Sequence, residues 1–315
     1  MACISVAIPL FNKEYTIKKT IWSVLNQQIK NFELIIVDDG STDRSYEIVS
    51  QIEDKRIRLI RQENAGVSAA RNRAVQDAHT DLVAFLDGDD EWKPWFLETI
   101  LRLSQKYPNA GAYATAYERV DADGHHVKPK YTGIPPPPYE GIIPNYFFAA
   151  LFVLPVWSSA VAVPTKVLRE IGGFPVGVVL GEDQYVWGKI ALKYPIAFST
   201  QYSAIYHREV MNRACDAGYR ENSAFADFAI RALANREVRK DLIPSLKEYI
   251  AREYIDIASN CLFNFKKPDV ARKNLKSIQY TKIFWKKKYY LYFLSLMPNT
   301  ITQTVLRIRL AFLRK

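Results

Sequence analysis

Short apolar runs recur along the first 120 residues, separated by stretches whose apolar positions fall every three or four residues. The runs at 4–8, 32–37, 57–60 and 82–86 are nearly continuous, the pattern of strands covered on both faces. Helical spacing occupies 15–25, 44–52, 67–78 and 94–107 between and after them, and Pro94 suits the first turn of the last of these helices. Regular alternation of this kind predicts an α/β fold, a Rossmann-like, mostly parallel sheet flanked by helices. Ligands of such sheets bind beyond the carboxyl ends of the strands.

The middle of the chain is less regular. Residues 112–120 and 157–163 read as strands, and 125–139 as a loop containing four consecutive prolines, a rigid surface connection. A helix is expected from 181 to about 194, then two short strands at 196–199 and 203–207. Everything from 222 onward has helical spacing, so the sequence divides into a catalytic-type domain over 1–220 and a helical C-terminal appendage over 221–315.

Charge sharpens that division. The formal net charge of the 315 residues is +10, yet residues 266–315 hold thirteen Lys and Arg against one acid, Asp269, so the tail carries +12 and the body −2. A body that is not basic argues against a nucleic-acid binder. Three widely spaced cysteines, Cys3, Cys215 and Cys261, lack metal-ligand spacing and fit a reducing compartment. No signal peptide or membrane-spanning run is read, since the apolar stretch at 289–297 is far shorter than the roughly 20 residues a bilayer needs. The expected location is cytoplasmic.

The chemistry sits at two strand ends. The run at 32–37 ends in Asp38, Asp39, Gly40 and Ser41, and the run at 82–86 ends in Asp87, Gly88, Asp89 and Asp90. In a parallel sheet both ends share one edge, where up to five carboxylates could converge. Such a cluster is costly unless compensated. Mg²⁺ or Mn²⁺ would compensate it, taking one or two carboxylates and completing its shell with substrate phosphates and water. Taken singly, each cluster reads equally well as helix capping, with Ser41, Thr42 and Asp43 capping the helix that follows; the pair of clusters on one edge favours a site. The turn after the first strand has no glycine, and no Walker-type loop occurs, so a phosphate ligand would not be cradled by backbone amides.

Five segments, VAIPLFNKE (6–14), VDDGSTD (37–43), NAGVSAARN (64–72), FLDGDD (85–90) and GED (181–183), follow one another in the order and approximate spacing of family 2 glycosyltransferases of the GT-A fold. The resemblance covers about residues 1–210. It implies that Asp39 accepts from the nucleobase and that Pro9, Phe11 and Glu14 line the base and ribose. It further implies that Arg71 reaches toward the nucleotide, Asp87 toward the ribose, that Asp89 ligates the metal, and that Asp183 is the catalytic base. His207 is either a further metal ligand or an ordinary core or surface histidine. Trp157, Ser158 and Ser159 lie where the family forms its acceptor side. Lys13 and Arg73 read as solvated, and the Gln-x-x-Arg-Trp motif of processive synthases is absent, which favours a single addition.

The resemblance therefore implies an inverting, Mn²⁺- or Mg²⁺-dependent transfer from a nucleotide-sugar donor, a uridine diphosphate sugar, to a glycan or lipid-linked acceptor in surface polysaccharide assembly. A non-catalytic nucleotide-sugar or glycan-binding module is the alternative. In the tail, aromatics and cations interleave over 283–297 and again over 305–313, which suits an anionic membrane surface. The competing reading is a helical bundle packed on the body or on a second subunit, making a homo-oligomer. No nucleic-acid partner is expected.

Overall fold

The computed structural model describes residues 3–121, 123–208, 220–298, 300, 304 and 305. Cys215 and nearly all of the expected amphipathic continuation over 305–313 lie outside them. The chain divides into two compact units, Met1–Arg213 and Ala214–Lys315.

The first unit is built on one ten-stranded sheet. Its N-terminal strands are β1 (Ile4–Leu10), β2 (Phe32–Asp38), β3 (Ile57–Arg61) and β4 (Leu82–Phe85). After these come β5 (Glu91–Trp92), β6 (Ala112–Val120), β7 (His126–Val127), β8 (Glu140–Ile142), β9 (Val161–Pro164) and β10 (Ile196–His207). The order is β3-β2-β1-β4-β9-β6-β10-β5, with β7 on β6 and β8 on β10. β3, β2, β1 and β4 run parallel, as the apolar runs predict, and every residue of β2 and β4 is buried. Helices α1 (Ile17–Leu25), α2 (Ser45–Ser50), α3 (Val67–Asp77) and α4 (Phe96–Lys106) alternate with them. The apolar stripes of α1 (Ile17, Ile21, Val24) and α4 (Phe96, Ile100, Leu103) are fully buried in the core.

The other half of the sheet is mixed. β9 pairs antiparallel with both β4 and β6, while β6 and β10 run parallel. Two expectations change here. Residues 157–163 are not one strand: a 3-10 turn at Ser158–Ala160 precedes β9. The two short strands at 196–199 and 203–207 are the single β10, whose register on β6 shifts between Ser199 and Ala204. A bulge lets pairing continue through exposed Gln201, where the apolar pattern breaks. Helices α5 (Tyr146–Ala149), α6 (Thr165–Ile171) and α7 (Glu182–Lys193) complete the unit.

Register places the site. Leu10 pairs with Asp38 across β1 and β2, and Ala7 with Phe85 across β1 and β4. Asp38, Pro9 and Asp87 therefore leave the sheet on one edge, as parallel strands require.

The second unit is helical: α8 (Ala224–Ala234), α9 (Ile243–Phe263), α10 (Pro268–Ser277) and α11 (Trp285–Ser295). Ser223 caps α8, accepting from the Ala226 amide at 3.1 Å. The long α9 supplies most of the core, with Leu246, Tyr249, Ile255 and Cys261 buried. No helix among the described residues is long and apolar enough to cross a membrane.

One packing contact is tight enough to test. A Cβ on Gly111, at the entry to β6, would lie 2.4 Å from Tyr194 Cβ and 2.9 Å from Ile190 Cγ2. Gly111→Ala is expected to destabilise the fold by about 1–3 kcal/mol through overpacking. A urea unfolding midpoint equal to the wild type's would show that this junction yields without cost.

Candidate active site

The loop after β1 is fastened to the loop after β2. Asn12 adopts a left-handed backbone (φ 51°), and its Oδ1 accepts from the Thr42 amide at 2.9 Å. The Asn12 amide donates to Ser41 Oγ at 3.1 Å, and the Lys13 amide to Ser45 Oγ at 2.7 Å. Ser41 and Thr42 thus hold the 9–14 loop and do not cap α2, at whose start Asp43 accepts from the Ser45 amide at 2.9 Å. Glu14 faces the same loop, accepting from the Arg44 amide at 3.3 Å, and Phe11 is exposed at the rim.

The five carboxylates of the two strand ends share the edge but do not converge on one point. Buried Asp38 pairs with Arg61 at 3.2 Å. Asp39 is buried and accepts from Gln62 Nε2 at 2.7 Å and from the amides of Ala65 and Gly66 at 3.0 and 2.8 Å. It thereby organises the entry to α3, and Gly40 (φ 75°) lets the turn approach Asn64 closely enough for that. Of the four lone-pair sites on a carboxylate, these bonds leave Asp39 Oδ2 one for a ligand.

Arg71, on α3, is almost wholly buried. Its guanidinium forks between Asp87 Oδ1 at 2.7 Å and Glu182 Oε1 at 2.9 Å, with the Phe174 ring 5.2 Å away. Burial works against its charge, but Asp87 and Glu182 more than offset that, and its pKa lies above the ordinary arginine value. The fork draws the start of α7 to the end of β4. Gly181 occupies the cap position of α7 with φ 83°, so Asp183 is not an N-cap but lies in the first turn. Asp183 Oδ1 accepts from the Gln184 amide at 2.7 Å, and Ser158 Oγ lies 3.5 Å from Oδ2. Burial, reinforced by Glu182 and opposed by Arg71, pushes its pKa up to about 7.

Asp90 has turned inward. Its carboxylate accepts from Ser159 Oγ, the His207 amide at 3.1 Å and Trp157 Nε1 at 3.4 Å. Burial, together with Asp89 and Asp87 nearby, raises its pKa well above the usual carboxylate range. Ser159 also accepts from the Asp87 amide at 3.1 Å, so Ser159 and Asp90 hold the acidic turn rather than face a ligand.

Asp89 is the carboxylate on the open side. It pairs with Lys13 Nζ at 2.6 Å, which corrects the expectation that Lys13 is merely solvated; the side chain is largely covered because it supplies the countercharge. Asp89 lines a cleft of about 110 Å³ with Tyr15, Thr16, Lys19, Thr20, Glu91 and His207. In that cleft His207 Nε2 contacts Glu91, and Lys19 pairs with Glu91 at 2.6 Å. Burial would raise the Glu91 pKa, but the hydrogen bonds from His207 and Lys19 hold it below its usual value. Among the described residues no three His, Cys, Asp or Glu side chains form a cage for a metal ion. The Asp89 carboxylate still fits the mode of a hard cation held by one or two protein carboxylates and by substrate phosphates, while His207 Nε2 is engaged with Glu91.

Sequence reasoning missed the roles of Glu182, Glu91, Lys13 and Ser159. Glu182 had a signal, its place beside Asp183 in the GED segment. The others acquire meaning only through partners about seventy or more residues away.

Residues 5–159 match the family model described as Glycosyl transferase family 2. Over 198 residues, 61% of this chain, the sequence is 32% identical to an uncharacterized glycosyltransferase of Rickettsia felis, covering 31% of that protein. Over 124 residues, 38% of this chain, it is 40% identical to the putative teichuronic acid biosynthesis glycosyltransferase TuaG of Bacillus subtilis, covering 49% of it. The chain thus spans less than half the length of either relative. The crystal structure of S. aureus TarS 1-349 in complex with UDP-GlcNAc superimposes with a TM-score of 0.70 at 18% identity, covering 97% of this chain and 91% of that one. At that identity the likeness establishes the fold, which agrees with the mixed sheet described above. Four of the five motifs lie within the matched span, and the Arg71 fork ties the fifth to them: residues 5–159 carry a family 2 glycosyltransferase domain, and the chain has the GT-A fold.

Proposed function

We propose that this chain is an inverting glycosyltransferase that adds a single sugar from a nucleotide-sugar donor, a uridine diphosphate sugar, to a hydroxyl of a glycan or lipid-linked saccharide. The observation that carries this reading is the Arg71 fork, which brings Asp183 to the strand end bearing Asp87 and Asp89. A carboxylate whose pKa lies at about 7 is suited to accept a proton near neutral pH. The acceptor oxygen forms its bond to the anomeric carbon and gives its proton to Asp183. The bond from that carbon to the phosphate oxygen breaks, and the nucleoside diphosphate departs with the electron pair. A single base on the face opposite the leaving group gives inversion, by analogy with inverting glycosidases.

Donor recognition is assigned to the linked loops. Asp39, with one lone pair uncommitted, would accept from the base, and exposed Phe11, with Pro9 and Glu14, would flank base and ribose. Asp87, held in place by Arg71, would meet the ribose. Asp89, exchanging Lys13, would hold Mn²⁺ or Mg²⁺, with His207 in the same cleft as a further donor. When bound, such a cation neutralises charge developing on the departing diphosphate. The TarS complex with UDP-GlcNAc supports the uridine reading at the level of the fold, and the TuaG match supports a role in surface polysaccharide assembly. The acceptor side of the reading places the chain at the inner, anionic face of a membrane, in peripheral contact through its C-terminal region.

Asp183→Asn is expected to leave donor affinity within a few-fold and to lower the transfer rate by about 10²–10⁴-fold; a near-normal rate would dismiss Asp183 as the base. Because the ionised form is the active one, kcat/KM for transfer should rise with pH to a plateau, with a midpoint near 7. A profile flat between pH 5 and 8 would contradict that assignment (about tenfold per unit is expected below the midpoint). Asp89→Ala should abolish the gain in thermal stability that a nucleotide sugar confers only when Mn²⁺ is present; an undiminished Mn²⁺-dependent shift would remove Asp89 from the metal site.

A further inference from the structure

Helix α11 shows two unlike faces. Leu291, Leu294 and Ser295 are buried within the second unit. Lys288 donates to the Ile278 carbonyl at 2.7 Å, Lys287 pairs with Asp256 at 3.7 Å, and Arg272 bonds the Ser295 carbonyl. The inner face is therefore fully engaged. On the outer face Trp285, Tyr289, Phe293 and Leu296 stand 49%, 64%, 56% and 58% exposed. Their spacing of four, four and three residues confines them to an arc of about 80° at 3.6 residues per turn. Tyr290 and Ile283 extend the apolar surface, and exposed Lys282 and Lys286 border it, Lys286 lying 5.5 Å from the Trp285 ring.

We infer that this stripe is a docking surface for an anionic lipid bilayer, with α11 lying in the plane of the headgroups. Large aromatics on one helical face, lysines beside them and no acid are what an interfacial helix requires: rings settle at the headgroup level and ammonium groups meet lipid phosphates. Charge decides between this occupant and a second copy of the chain. Whichever way two copies of the stripe are apposed, Lys282 and Lys286 meet no acid from it, because residues 270–315 contain no carboxylate side chain. Leu296 within the arc and Ile283 beside it are unlike a platform for single-stranded nucleic acid, which binds by stacking on rings. The inference deepens the membrane contact of the proposed function by naming its surface, and it needs no catalysis.

The test is co-sedimentation of the full chain with vesicles of phosphatidylcholine, with and without phosphatidylglycerol. The wild type should partition to the anionic vesicles and be released by salt. Trp285→Ala with Phe293→Ala should weaken partitioning by about tenfold or more while circular dichroism and transfer to a soluble acceptor stay unchanged. Lys282→Gln with Lys286→Gln, which alters only exposed side chains, should remove much of the preference for anionic over neutral vesicles, and it carries the test if the aromatic variant unfolds. Wild-type protein that ignores anionic vesicles, or variants that partition as the wild type does, would overturn the inference. So would self-association, or oligonucleotide binding, that the aromatic variant loses while vesicle binding persists. Vesicle binding without any sugar transfer would instead sink the proposed function and leave this surface standing.

Discussion

The site depends on a buried guanidinium. Arg71 lies 16 residues before Asp87 and 111 before Glu182, and nothing in chain connectivity brings those two acids together. A buried cation must find partners or lose its charge, and arginine cannot readily lose it. Its planar fork fixes direction as well as distance, which a lysine would not do. The end of β4 and the first turn of α7 are therefore registered on each other electrostatically. Asp183, one residue beyond Glu182, inherits that placement, and the same burial that orients it raises its pKa.

The acidic edge is tolerable because its negative charge is divided among separate partners. Asp38 faces Arg61, Asp39 faces amides, Asp87 faces Arg71, Asp89 faces Lys13, and Asp90 is driven toward its neutral form. A dense run of aspartates does not, then, by itself require one metal ion to hold it. What distinguishes Asp89 is the character of its partner. Lysine is a single point charge on a flexible stem, so its pairing can be exchanged more easily than the hold on Asp87 of a buried guanidinium that Glu182 also fixes. Within one tetrapeptide the chain thus carries a fixed carboxylate, an exchangeable one and a structural one.

The parallel half of the sheet was legible because β1, β2 and β4 are buried on both faces and each strand is separated from the next by a helix, so local periodicity carried the signal. β9 and the Ser158–Ala160 turn were not. Their conformation is decided by insertion between β4 and β6, pairings over some eighty and some fifty residues that local pattern does not encode. β10 was misread as two strands because its bulge exposes Gln201 without ending the ladder. At the site, the sequence exposed residue types and their order, and the family resemblance gave them roles. Which carboxylate faces a ligand and which faces the core was hidden: Asp90 and Asp89 are adjacent and chemically identical, and only Ser159, Trp157 and the His207 amide separate their fates.

The second unit applies the same economy of charge in the opposite sense. Glu253 is fully buried, bonded to Ser223 at 2.9 Å and paired with Arg220 at 3.1 Å. Glu248 is buried too, accepting from Thr281 Oγ1 at 2.7 Å and from the backbone where the chain enters α11. Each of these acids is used internally, one to neutralise an arginine and one to anchor the turn before α11. Neither is left to balance the lysines at the surface; Asp269 and Asp256 are taken up by Arg272 and Lys287, which leaves exposed Lys282 and Lys286 to act on their surroundings. Glu248 also fixes where α11 begins, and with a helix the starting residue fixes which side chains point outward. The exposed aromatic stripe is thus set by a buried carboxylate, just as the active-site placement of Asp183 is set by a buried guanidinium.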